Sequence, residues 1–229
     1  MNNFRYEIKF SLEELSLSTI RRWMDINTNL KKSYDDRCVN SIYFDDINYS
    51  SVKDNLVGIS DRKKYRIRWY TKNFSDLKMN DPQFEIKIRK GRLGTKTVFN
   101  LKHMNNDSEN PTMQSIELNL KNELLSLNES IDSYIRATLG VHYIRSYYED
   151  TEGLRMTIDK QIKFSYLDGT RLSLDRAINT KHHKYIMEIK FNPELKNYAS
   201  KLIQSLSLTP SRHSKYLLGL SRFGFVNYI

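Results

Sequence analysis

The chain has 229 residues, 39% of them hydrophobic and 12% aromatic, enough for one domain with a real core. A formal charge of +10 and a pI near 9.5 predict an anionic partner (nucleic acid, an anionic membrane surface or a phosphorylated small molecule) or else serve solubility. The single cysteine, Cys38, excludes an intramolecular disulfide and argues against a thiolate zinc site, and no apolar run is long enough to cross a bilayer as a helix.

Residues 4–10 alternate, with Arg5, Glu7 and Lys9 against Phe4, Tyr6, Ile8 and Phe10, and predict a strand. They hold no apolar signal-peptide core, so a soluble cytoplasmic protein is expected. Ser11 and Glu14 have capping-box spacing and predict a helix to about residue 27. A strand at 38–45, burying Cys38, and a short helix or turn through 53 lead to a basic strand at 62–70. There a period of two puts Arg62, Lys64, Arg66 and Arg68 on one face and Tyr65, Ile67 and Trp69 on the other. At ~3.3 Å per residue the basic row spans roughly 20 Å, which suits several phosphates better than one. Charges this dense repel one another, and a polyanion along the strand would offset that cost.

A loop at 73–82 precedes a strand at 83–90, where Glu85, Lys87 and Arg89 oppose Phe84, Ile86 and Ile88. A tight turn at 91–94 returns the chain along 95–101. A polar loop at 105–111 is followed by a mainly helical stretch at 113–139, then strands at 141–148 and 154–164. The last clear strand is 184–191, with Glu188 and Lys190 facing away from Tyr185, Met187 and Ile189. Amphipathic helices are predicted at 193–206 and 214–220. Four prolines and eight glycines form no linker, and no internal repeat is present, so 1–229 is read as one domain. About eight strands joined by hairpins or short helical excursions predict an α+β fold, an antiparallel barrel with helices packed outside. Two arrangements of its faces are open. The apolar faces pack together and the charged faces meet water, or the apolar faces lie outward under the helices and the charged faces line the interior. The second would suit phosphates and a hard divalent metal held by Glu7, Glu85, Asp159 or Glu188.

The segments Arg5-Tyr6-Glu7-Ile8-Lys9, Ser41-Ile42-Tyr43-Phe44-Asp45, Lys64-Tyr65-Arg66-Ile67-Arg68, Glu85-Ile86-Lys87, Tyr143-Ile144-Arg145, the stretch from Leu154 to Asp159, Glu188-Ile189-Lys190 and Ser214-Lys215-Tyr216 resemble, in this order, the VTC domain. That domain is the polyphosphate polymerase module of the triphosphate tunnel metalloenzyme (CYTH-like) superfamily. The resemblance covers nearly the whole chain and implies an eight-stranded tunnel. It implies phosphate contacts from Lys9, Arg66, Arg68, Lys87, Lys96, Tyr143, Arg145, Arg155, Lys190, Ser214 and Lys215, with Lys64 in the same basic row and Arg212 where the family often has Lys. Of these, Arg66, Arg68, Arg145 and Arg155 would clamp the reacting phosphates. Glu188 matches the family's metal-ligating glutamate, for Mn²⁺ or Mg²⁺. Glu7, Glu85 and Asp159 are metal contacts or counter-ions. Tyr143 and Ser214 also read as a strand aromatic and a helix N-cap. His182 and His183 read as solvated, and His213 as a surface residue.

The implied reaction is transfer of the γ-phosphate of ATP to inorganic polyphosphate or pyrophosphate, the chain leaving by the far mouth. A second cation two residues after Lys96 is missing, and the opening strand carries one Glu, unlike the paired Glu of CYTH triphosphatases, which favours the polymerase branch. The helical sensing domain and membrane helices of eukaryotic VTC subunits have no counterpart here, so regulation or tethering is expected from a separate partner. The alternatives are a tunnel triphosphatase or polyphosphatase and an inactive polyphosphate-binding module. Nucleic-acid binding is disfavoured because Tyr65, Trp69 and Phe84 lie opposite the cations, and peripheral membrane binding lacks a basic amphipathic helix.

Overall fold

A computed structural model describes residues 4–13, 16–76, 78–102, 104, 112–127, 131, 134–167 and 180–227. Its elements are β1 (Arg5–Leu12), α1 (Ser16–Asn27), β2 (Lys31–Asp45), α2 (Ser50–Val57), β3 (Arg62–Thr71), β4 (Gln83–Lys90), β5 (Leu93–Asn100), α3 (Met113–Ser126), β6 (Arg136–Glu149), β7 (Arg155–Tyr166), β8 (Thr180–His182), β9 (Tyr185–Phe191), α4 (Lys196–Gln204) and α5 (Lys215–Arg222). The sheet order is β6-β2-β3-β4-β5-β1-β9-β7, and pairing of β7 with β6 closes it into an antiparallel ring, with the short β8 continuing the β9 edge along β7. No helix among the described residues is long and apolar enough to cross a membrane.

The charged strand faces point into the ring. The apolar faces of β3 and β4 (Ile67, Trp69, Phe84) pack outward beneath Ile116, Leu120 and Leu124 of α3. Those of β1, β7 and β9 (Phe10, Met156, Met187, Ile189) pack beneath α1 and α4 through Ile20, Trp23 and Ala199. A third cluster lies inside the ring. Leu139 and Val141 of β6, Ile162 and Phe164 of β7 and Val39 of β2 meet Tyr216, Leu217 and Leu220 of α5. The helix approaches so closely that a Cβ on Gly219 would press on Leu139 and come within 2.7 Å of Phe164.

A bulge makes this third cluster possible. Gln161 in β7 has φ 51°, and the β6–β7 register shifts between His142 and Ile144. One extra residue reverses the parity of the strand. Thr157 and Asp159 face inward before it, and Ile162 and Phe164 after it, where unbroken alternation would send Lys163 into the apolar end. Gly91, at φ 57°, takes the first central position of the two-residue turn joining β4 to β5, where glycine costs no Cβ clash.

Several expected boundaries differ. Ser11 is not a helix cap but lies in β1, paired with Ile186, and α1 starts at Ser16; Glu14 lies outside the described residues. The helix expected over 113–139 ends at Ser126, and residues from Arg136 onward belong to β6. Leu139 and Val141 face apolar α5, and they alternate with Thr138, Gly140 and His142, a period of two that belongs to the strand. β2 begins at Lys31, well before residue 38, because its exposed first half pairs with β6 alone. The loop expected at 105–111 lies outside the described residues.

Candidate functional site

Alternation around the ring gathers cations from non-contiguous strands into one cavity of about 410 Å³. Strand β1 contributes Arg5, Glu7 and Lys9; β3 contributes Arg62, Lys64, Arg66, Arg68 and Tyr70. Lys87 and Arg89 come from β4, and Lys96 from β5. Tyr143, Arg145 and Tyr147 of β6, Arg155 of β7, and Glu188 and Lys190 of β9 complete the wall, with His213, Ser214 and Lys215 entering with α5. Arg212 does not line the cavity. It lies near Arg62, whose pKa is lowered by burial and by the like charges of Arg89 and Arg212.

Three buried carboxylates divide these cations between them. Glu85 accepts from Arg66 Nε at 2.6 Å through one oxygen and from Lys96 Nζ at 2.6 Å through the other. Asp159 takes Arg145 bidentately, at 2.6 Å and 2.8 Å, and also Lys215. Burial alone would raise both carboxyls; Arg66 and Arg68 hold Glu85, and Arg145 and Lys215 hold Asp159, far below the usual carboxylate range. Both oxygens of each are occupied, so these two residues serve as counter-ions.

Glu188 differs. Its nearest cations are Lys190 Nζ at 3.3 Å and Lys9 Nζ at 3.8 Å. Burial would raise this carboxyl too, but Lys190 and Lys9, aided by Lys87, keep it well below its ordinary value. Glu7 stands diagonally across the β1–β9 pair, since Lys9 pairs with Glu188 and Glu7 with Lys190. Among the described residues no group of three or more His, Cys, Asp or Glu side chains is arranged to hold a metal. One or two carboxylates completed by phosphate and water oxygens is a donor set that Mg²⁺ or Mn²⁺ accepts. Glu188, with Glu7, fits that description.

Tyrosines hold the arginines in place. Arg66 Nη1 donates to Tyr43 Oη at 3.2 Å, and Arg68 Nη2 to Tyr143 Oη at 3.0 Å. The Tyr143 ring lies 5.1 Å from the Arg145 guanidinium and 4.7 Å from Lys215 Nζ. Tyr143 is therefore more than a strand aromatic. Ser214 caps α5, accepting from Leu217 N at 3.4 Å, and also accepts from Lys64 Nζ at 3.1 Å. Burial and the like charges of Lys9, Lys87 and Arg62 push Lys64 well below the ordinary lysine value. Burial outweighs the pull of Glu188 and Glu7 on Lys190 and brings it down to about 8. Such amines gain most from an arriving polyanion.

Two of the three histidines considered differ from expectation. His182 is buried rather than solvated, with its ring 5.6 Å from that of His213. His213 faces the cavity, and burial beside Lys215 and Lys9 lowers it to about 2. His183 is exposed. Sequence reasoning also passed over Arg5, Arg89, Tyr43, Tyr70 and Tyr147 as site residues. Each shares the parity of a motif residue on its own strand, which was the available signal.

The model of the VTC domain family matches residues 2–223. A sequence search of curated proteins gave no match. Among solved structures, a proposed adenylate cyclase from Vibrio parahaemolyticus has a TM-score of 0.55 at 11% identity, over 95% of this chain and 99% of that one. A protein from Pyrococcus horikoshii has a TM-score of 0.51 at 14% identity, with 95% and 99% covered. A proposed adenylyl cyclase from Hippeastrum, described as having a dominant triphosphatase activity, has a TM-score of 0.50 at 16% identity, over 97% of each chain. At these identities the likeness is one of fold.

Proposed function

The chain belongs to the VTC domain family, and from that premise we propose that it is a polyphosphate polymerase using ATP. The observation that carries the proposal is the cavity itself: cations from seven strands surround one carboxylate, Glu188, whose oxygens are not saturated by close partners. Phosphoryl transfer asks for in-line positioning and neutralised oxygens more than for covalent help. A terminal oxygen of the phosphate chain forms the new P–O bond to the γ-phosphorus. The bond from that phosphorus to the β–γ bridging oxygen breaks, and ADP leaves with the electron pair. The nucleophile is already ionised, so no general base is required. Arg66, Arg68, Arg145 and Arg155 clamp the triphosphate. Lys9, Lys64, Lys87, Lys96, Lys190, Ser214 and Lys215 hold the acceptor chain. Glu188, with Glu7, would hold Mg²⁺ or Mn²⁺, which supplies charge neutralisation across the reacting phosphates when bound.

The second reading is hydrolysis of a short triphosphate, favoured by the triphosphatase activity named for the Hippeastrum protein of the same fold. One experiment separates the two. Purified protein is incubated with ATP and Mn²⁺, and products are resolved on a gel stained for polyphosphate while free phosphate is assayed in parallel. The polymerase gives a ladder of chains, reduced on the order of 100-fold or more in Glu188→Gln. Free phosphate without chains assigns hydrolysis. A ladder undiminished in Glu188→Gln removes that residue from the site.

A further inference from the structure

Phosphate-binding cations explain most of the cavity wall but not its tyrosines. Tyr43 and Tyr143 have work to do, since each holds an arginine. Tyr70 and Tyr147 also face the cavity, and no cavity cation donates a hydrogen bond to either among the described contacts. Both belong to the rim. Tyr70 stands two residues past Arg68 at the end of β3, where pairing with β2 stops at Thr71, and its side chain is partly in water. Tyr147 stands two residues past Arg145 on β6. Beyond this rim the first half of β2 runs on as an edge strand paired only with β6, carrying Tyr34 and Arg37. Tyr34 meets the Tyr147 ring edge-on at 5.8 Å, and the Arg37 guanidinium lies 4.9 Å from the Tyr34 ring. The arrangement is an aromatic shelf joined to the end of a cationic groove.

A flat aromatic group is what such a shelf recognises. Bases stack on tyrosine faces whatever their sequence, and arginine planes add to the stack. A bare phosphate chain has no use for it. A nucleoside triphosphate has both parts, and its phosphates would lie against Arg68 and Arg145 while its base reached the tyrosines two residues farther on.

We infer that the nucleobase of the triphosphate donor is seated against Tyr147 and Tyr70, under the overhang of β2 that carries Tyr34 and Arg37. The inference rests on the nucleotide-dependent reading above and sharpens it: the shelf tells ATP from inorganic tripolyphosphate, and the cations bind either.

The test uses the full chain and a triphosphate of 2-aminopurine riboside, whose fluorescence is quenched by stacking. Titration of the wild-type protein should quench the emission, and excess ATP should restore it. Competition with ATP and with inorganic tripolyphosphate is then compared across variants. Tyr147→Leu and Tyr70→Leu should each weaken ATP about tenfold, and several times more than tripolyphosphate, while Tyr147→Phe keeps the ring and keeps ATP affinity. Bound but unquenched 2-aminopurine, or leucine variants that lose both ligands equally while Tyr147→Phe also fails, would overturn the shelf and leave ATP-dependent chemistry standing. A wild-type protein that binds tripolyphosphate and ignores both nucleotides would overturn the nucleotide-dependent reading as well.

Discussion

The inner face of the ring has two chemistries, and one strand carries both. Leu139 and Val141 of β6 pack against α5, while Tyr143, Arg145 and Tyr147, next along the same face, look into the cationic cavity. The alternation of β6 itself runs through both; they are separated by the Gln161 bulge in neighbouring β7 and by what fills the space, a helix at one end and charge at the other. Helix α5 is the boundary, with Ser214 and Lys215 at its start on the wet side and Tyr216, Leu217 and Leu220 on the dry side. The inside of a ring is thus not automatically core. Here the main apolar packing lies outside it, and the cations inside tolerate one another because Glu85, Asp159 and Glu188 are spaced among them.

One carboxylate holds the two sides of this boundary together. Asp159 binds Arg145 from the wall and Lys215 from α5. Asp159→Asn leaves two cations facing each other with little water, at a cost on the order of 3–5 kcal/mol. Urea denaturation measures it, and tripolyphosphate should restore more stability to the variant than to the parent, because phosphate replaces the missing charge. A loss below about 1 kcal/mol would mean that the cavity is wetter than its burial implies.

The same carboxylates set the acid limit. Glu85, Asp159 and Glu188 all have folded pKa values below their unfolded ones. Their stabilisation is complete above the unfolded range of roughly 3.9–4.3 and is lost progressively as pH falls below it towards the depressed folded values. The melting temperature should therefore fall steeply below about pH 4, and less steeply in Asp159→Asn, which has one such group fewer.

On the dry side the expected cost is smaller and purely steric. Gly219→Ala places a methyl against Leu139 and Phe164. Overpacking of this kind costs about 1–3 kcal/mol. The shift should appear in thermal unfolding with no change in its acid dependence, since no charge is involved.

The strand faces were legible from the sequence, because period-two alternation survives in β1, β3, β4 and β9. The direction of each face was not: Arg66 opposite Ile67 reads the same whether the ring encloses water or oil. Two signals favoured charged faces inward: the helices, whose apolar stripes require a sheet to cover, and the few carboxylates (Glu7, Glu85, Asp159 and Glu188) recurring among the cations. The start of β6 was missed although Ala137, Leu139 and Val141 alternate there with Thr138, Gly140 and His142. The Gln161 bulge had no sequence signal at all. In the site, motif positions were legible, and the roles of Glu85 and Asp159 were not, since a carboxylate that binds a metal and one that holds two cations look alike in sequence.

Arg145 and Arg155 sharpen the contrast with the smallest expected change in stability. They occupy neighbouring strands of one cavity wall, but Arg145 is buried on Asp159, whereas the Arg155 side chain is 53% exposed and meets Glu149, itself 39% exposed, at 3.4 Å. An exposed pair of this kind contributes roughly 0–1 kcal/mol, so Arg155→Ala should unfold within about 0.5 kcal/mol of the parent. Under the proposed function it should nonetheless weaken tripolyphosphate several-fold, because a rim cation that stabilises nothing in the free protein keeps its whole attraction for the ligand. Equal stability with unchanged affinity would remove Arg155 from the phosphate clamp, and a large loss of stability would mean that the wet rim and the buried wall are not the separate environments their geometry describes.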